Sequence, residues 1–258
     1  MSARTLSPPR VFTRADGRDR VAVPFWNGIL SALAATAIGF VVAIFAGIAL
    51  TIAIVLATGN TPSLNAGHPF AAAIEFVMYA AAGAFAWWRL RKAGRNPFRA
   101  LGPHDVRTVL LGVAALVVVR AGTGVQLMLT HQTKHVQAGF EHFDVVTHAP
   151  AFTTIGITLA VATMVILAPV VEEIIFRGLL FGALVQRLGV LASALITAAI
   201  FGAVHGDPVL FPTLAGMGFL GALAYAATGN LWVPIALHSL NNALGAAFII
   251  GTSLQHHT

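Results

Sequence analysis

The sequence predicts an all-α fold, a polytopic transmembrane helix bundle of seven spans, or eight if Pro169 divides one apolar stretch into two crossings. Three observations lead there. Apolar residues make up 57% of the 258 and charged residues only 9%, against about a quarter charged in soluble domains. Apolar runs long enough to cross a ~30 Å hydrocarbon core recur between turn signals. The basic residues gather at the ends of those runs: Arg4, Arg10, Arg14, Arg18 and Arg20 precede the first, and Arg89, Arg91, Lys92, Arg95, Arg99 and Arg107 flank the gap after the second.

That distribution is the one cytoplasmic loops carry, which predicts a multi-pass cell-membrane protein with its N-terminus in the cytosol. It accounts for the net charge of +6 without a nucleic-acid partner, which would need a basic face interleaved with stacking aromatics. The absence of cysteine excludes disulfides, thiolate nucleophiles and cysteine-ligated zinc.

Residues 1–24, with Pro8-Pro9 and Asp16-Gly17, lack apolar periodicity and read as a basic cytosolic tail whose arginines meet anionic lipid headgroups. The first span covers Phe25 to Thr58. Its apolar run exceeds the ~7 to 15 residues of a signal-peptide core, so it is expected to be retained. Gly59-Asn60-Thr61-Pro62 turns the chain, and the second span runs from Pro69 to the aromatic pair Trp87-Trp88 at headgroup depth. The third covers Val106 to Thr130, completing an N-terminal three-span region, 25–149. Glu75 and Arg120 sit at similar depth in the second and third spans, which predicts a structural ion pair between them.

The remaining spans form a second region, 150–251, before a short polar tail, 252–258. From Ala151 to Arg187 the apolar pattern would make a helix of ~55 Å, too long for one perpendicular crossing. Pro169 lacks an N–H and clashes with the preceding turn, so a kink is expected there. Further spans follow over Leu191–His205, Val209–Ala227 and Val233–Ile250, separated by Gly206-Asp207-Pro208 and Thr228-Gly229-Asn230.

Ionisable groups buried in a membrane are costly and read by default as functional. Glu172 and Glu173 begin three residues after Pro169. Glu173 and Arg177 are i and i+4 neighbours in the favourable order and should pair. Glu172 lies about 100° round the helix, which leaves it free of the arginine and suited to act as a general base or acid. Phe201 and His205 share one face of the next helix, and His238 and Asn242 one face of the last, with Asn241 beside them as a rival amide. An imidazole and an amide together can hold a developing oxyanion. Any one of these groups alone reads as well as a packed core residue or an interhelical hydrogen bond.

Taken in order on successive apolar helices, Glu172-Glu173-xxx-Arg177-Gly178, Phe201-xxx-His205 and His238-xxx-Asn242 resemble the three motifs of the CPBP intramembrane protease family, the type II CAAX prenyl endopeptidase and bacteriocin-processing enzymes. The resemblance covers about residues 168–245. It implies a glutamate-type intramembrane endopeptidase acting on a membrane-associated peptide or protein. Glu172 and His205 would activate water, His238 and Asn242 would form the oxyanion site, and Glu173, Arg177, Phe201 and Asn241 would support the cavity. No cofactor is expected. A zinc-dependent version of the same site would draw on Glu172, His205 and His238, since Glu and His are competent ligands.

Two other classes compete. Embedded charges and broken helices also describe a proton-coupled transporter, with His131, His135, His142 and His148 as a metal-capturing loop. A non-catalytic scaffold of the same fold is the third reading. The sequence has no His-Glu-xx-His zinc helix, no Gly-x-Ser-Gly serine site and no Gly-x-Gly-Asp motif, which sets aside the other intramembrane protease chemistries.

Overall fold

In a computed structural model, described over residues 24–62, 68–94, 96–133, 135 and 150–255, the chain folds as helices, with no strand among the described residues. The tail before Pro24, His142 and His148 lie outside them.

Helix α1 spans Phe25–Thr58 and stops at Gly59 (φ 73°), whose N–H donates to the Val55 carbonyl at 2.8 Å. Helix α2, Pro69–Lys92, starts with proline at its first position, where a missing N–H costs nothing. It continues four residues past Trp88, so Arg89, Arg91 and Lys92 fall in its last turn, where the helix dipole favours cations. Their charges lie 5.2 to 5.5 Å from the Trp87 and Trp88 ring centroids. Helix α3, Pro103–Leu129, begins earlier than its apolar run because Asp105 caps it. The carboxylate accepts the Gly102 N–H at 2.9 Å and grips the Arg99 fork at 2.6 and 2.7 Å.

The next stretch is one long helical path of changing width. Helix α4 (Pro150–Ala162) opens into a π-helical segment, Thr163–Leu167. Helix α5 (Ala168–Glu173) follows, then a second π segment, Ile174–Phe181, and helix α6, Gly182–Val204. The first widened turn falls just before Pro169, where a kink is expected. Helical backbone continues through the proline, and the wide turn before it absorbs the missing hydrogen bond. Helical dihedrals fail instead at Gly189 (φ 74°, ψ 176°), a conformation glycine alone adopts without strain. Helices α7 (Phe211–Thr228) and α8 (Trp232–Gln255) complete the chain.

By length and composition, five helices among the described residues suffice to cross a membrane: α1, α2, α3, the 51-residue path Thr154–Val204, and α7. The seven or eight spans expected from the sequence are thus matched only in their coarse form, a multi-pass helical membrane protein. As one straight helix, that path would measure about 77 Å, more than twice a hydrocarbon core, so the break at Gly189 is needed to return the chain.

Small residues bring the N-terminal helices close to this path. A Cβ on Gly83 of α2 would lie 2.6 Å from Val171, and one on Gly28 of α1 2.5 Å from the Ala183 Cβ. Helix α3 is tied to the α6–α8 half at both ends. At one, Arg99 donates to the Thr228 carbonyl at 3.3 Å and Asn230 to the Arg99 carbonyl at 3.2 Å. At the other, Gln126 Nε2 donates to the Val209 carbonyl at 2.6 Å and His135 Nε2 to Asp207 at 2.9 Å. His135 thus bonds a carboxylate in the turn after α6.

The Glu75–Arg120 ion pair does not form. Arg120 Nη2 donates instead to the Asn241 carbonyl of α8 at 2.8 Å, while Glu75 lies within electrostatic reach of Tyr79 and Glu172. Equal depth fixed neither residue's azimuth about its helix, and α2 and α3 turn these faces to different neighbours.

Candidate active site

The two glutamates stand on α5, between the two wide turns, and face different partners as the 100° step requires. Glu173 is fully buried with Arg177. The guanidinium Nη1 lies 2.9 Å from Glu173 Oε1, and Nη2 donates to the Gly218 carbonyl of α7 at 2.8 Å. Gly221, one helical step further on α7, makes this possible: a Cβ there would sit 2.7 Å from Arg177 Nη2. The Phe201 ring covers the guanidinium, 5.0 Å from Cζ to centroid. Arg177 Nε and Glu173 Oε2 remain buried without a hydrogen-bond partner, so these contacts offset the pair's desolvation only in part.

Glu173 Oε1 also accepts from His238 Nδ1 of α8 at 3.0 Å. Since a carboxylate only accepts, Nδ1 is the protonated nitrogen, and Nε2 is left facing Glu172 Oε2 at 3.9 Å. The other oxygen of Glu172 accepts the Tyr79 hydroxyl of α2 at 2.7 Å. Oε2 is buried with no hydrogen-bond partner.

His205 joins the group through Phe201. Its ring packs 4.7 Å from the Phe201 centroid, and Phe201 packs edge-on to His238 at 5.6 Å. His205 Nδ1 donates to the Phe201 carbonyl at 2.6 Å, which fixes the tautomer and leaves Nε2 with a lone pair. Phe176 closes the aromatic wall at 5.1 Å from Phe201. Between Glu173, Arg177, Phe201, Gly221 and His238 lies a cavity of about 10 Å³, near the size of a single water site.

Asn242 stands one turn beyond His238. Its Nδ2 donates to the Met164 carbonyl in the first π segment at 2.9 Å, and its Oδ1 accepts from Asn241 Nδ2 at 3.1 Å. Asn241 therefore turns its side chain to Asn242 rather than replacing it. Among the described residues, no three His, Asp or Glu side chains converge as a metal set.

The structure thus gathers Glu172, Glu173, Arg177, Phe201, His205 and His238 in one contact network and puts Asn241 and Asn242 at its edge. Tyr79, Gly218 and Gly221 were not evident from the motifs. Tyr79 had one signal: it is one of two tyrosines in the chain, four residues after Glu75 in an apolar helix where a hydroxyl needs a partner.

Residues 154–244 match the family model for Type II CAAX prenyl endopeptidase Rce1-like proteins. The chain is 40% identical over 87 residues to the membrane peptidase YdiL of Bacillus subtilis (strain 168). It is 33% identical over 89 residues to the membrane-embedded CAAX protease MroQ of Staphylococcus aureus (strain USA300). These matches take in 34% and 32% of this chain and 36% of each relative's length. No solved structure matches. The family resemblance drawn from the three motifs is borne out over 154–244, a segment that contains every predicted site residue and excludes α1, α2 and α3.

Proposed function

We propose, starting from the Rce1-like segment 154–244, that the protein is an intramembrane endopeptidase of glutamate type that hydrolyses a peptide bond in a membrane-associated peptide or protein. The observation that carries this reading is the free oxygen of Glu172. One oxygen is occupied by Tyr79, and the other is buried, without a partner, and 3.9 Å from His238 Nε2. A lone, buried carboxylate oxygen beside an imidazole is an arrangement suited to deprotonating water.

In this mechanism a water gives its proton to Glu172 Oε2, with His205 Nε2 as the second acceptor, while its oxygen forms the new C–O bond. The carbonyl oxygen takes up the displaced electron pair as an oxyanion. The remaining N–H of Asn242 donates to that oxyanion, and His238 joins it at Nε2 once that nitrogen has taken a proton from solvent. Collapse breaks the C–N bond and returns the proton to the leaving amine. Glu173 and Arg177 hold His238 in its tautomer and play no part in the proton count. The reading is metal-free.

Substrate access is from the lipid side. An apolar groove of about 450 Å³ runs along Ala80, Gly83, Val170 and Val171, the sequence neighbours of Tyr79 and Glu172. A hydrophobic segment lying there would pack against Val170, Val171 and Ile174, on either side of Glu172 in the sequence.

The test is cleavage of a fluorogenic peptide library by the full-length protein in nanodiscs. Glu172→Gln and His205→Ala are each expected to abolish cleavage at unchanged thermal stability, and a chelator to leave wild-type activity intact. Full activity of Glu172→Gln, or loss of wild-type activity in chelator that zinc restores, would overturn this mechanism.

A further inference from the structure

Asn242 has a second task that the oxyanion reading does not include. In the first π segment the Ala168 N–H donates to the Thr163 carbonyl, an i→i−5 bond. The next donor in that register would be residue 169, aimed at the Met164 carbonyl. Residue 169 is proline and has no N–H. The Met164 carbonyl instead receives Asn242 Nδ2 at 2.9 Å. We propose that Asn242 is a positioning residue whose carboxamide stands in for the N–H that Pro169 lacks, clamping α8 to the glutamate-bearing helix and so setting the approach of His238 to Glu172.

The orientation of the carboxamide is determined from both sides. Its oxygen accepts from Asn241 Nδ2 at 3.1 Å, and an inverted amide would set its oxygen against the Met164 carbonyl, two acceptors face to face. The α8 backbone at this point is held in turn by Arg120 of α3, which donates to the Asn241 carbonyl at 2.8 Å. Three helices therefore meet around this turn of α8. His238 precedes Asn242 by one turn on α8, and Glu172 follows Met164 by eight residues, so a shift at the clamp is transmitted directly to the 3.9 Å spacing between the two reacting groups. A displacement of about 1 Å at such a spacing costs up to about a hundredfold in rate.

The clamp is tested by a double-mutant cycle on the full-length protein in nanodiscs, with Asn242→Leu, Pro169→Ala and their combination. Pro169→Ala restores the backbone donor. Asn242→Leu is expected to lower the thermal midpoint by about 3 °C beside Pro169, and by less than half of that beside Pro169→Ala. Equal midpoint losses in the two backgrounds overturn the proposal. The activity arm rests on the hydrolase reading. There the loss from Asn242→Leu falls on kcat with KM little changed, and Pro169→Ala recovers about tenfold of it. A kcat loss identical in both backgrounds also overturns the proposal, since it assigns Asn242 to the oxyanion alone. Absence of cleavage by the wild type counts against the hydrolase reading only, and the midpoint comparison still decides the clamp.

Discussion

The α5–α8 half and the α1–α3 half meet the site in different ways. The first supplies the chemistry as short motifs, each pairing residues four apart on one helix: Glu173 with Arg177, Phe201 with His205, His238 with Asn242. The second supplies single groups with no motif around them, Tyr79 to one oxygen of Glu172 and Arg120 to the backbone of Asn241. The family match divides at the same place, beginning at residue 154. Chemistry can thus be encoded locally while its alignment is encoded across distant parts of the chain, 93 residues apart for Tyr79 and Glu172.

The largest expected effect tests whether the motif half is chemical at all. Glu172→Gln should lower the cleavage rate by about 10² to 10⁴, read as kcat on a fluorogenic peptide, with the thermal midpoint held. Next, Arg177→Met should act on folding. It strands the Glu173 carboxylate, buried beside His238, and should cost about 3 to 5 kcal/mol, seen as a large fall in thermal midpoint and in expression. The third reaches into the other half. Tyr79→Phe removes one hydrogen bond to a charged group, and a tenfold or greater fall in kcat is expected. An unchanged kcat would confine the working site to α5–α8 and dissolve the contrast.

The smallest concerns the turn after α6. Burial pushes the Asp207 carboxyl up, but the bonds from His135 and from the Leu210 and Val209 N–H groups outweigh it and hold the group below its ordinary range. A folded-state value below the unfolded one contributes stability that is present above the unfolded value and fades as pH falls through the folded one. The thermal midpoint of the wild type should therefore exceed that of Asp207→Asn near neutral pH, and the gap should begin to narrow below about pH 4. A gap of unchanged size at pH 3 assigns the effect to packing.

Much of the helical layout was legible because apolar length is a one-dimensional property. The first span runs from Phe25 to Thr58 as read, and the others start or stop within a few residues of their expected ends. The misses follow from chemistry at the ends: Asp105 drew α3 back to Pro103, and the basic last turn carried α2 on to Lys92. Within the site, the four-residue pairings could be read because a helix fixes them. What lay between helices could not. Depth along a span follows from counting, but azimuth does not, which is why Glu75 and Arg120 were paired wrongly and Tyr79 went unseen. At Pro169 the proline is a signal that the backbone answers by widening the turn just before it, a form that the sequence alone does not specify.

Those widened turns also alter what length changes the chain can bear. A π segment holds one residue more than the α-helix needs, so losing that residue lets the helix tighten while the flanking faces keep their directions. Removing Ile166, 63% exposed, would keep the faces beyond it in place but set the Pro169 ring against the Met164 carbonyl that the wide turn now spares. The same excision in the middle of α3 would instead swing everything beyond it by about 100° and pull Arg120 off its acceptor.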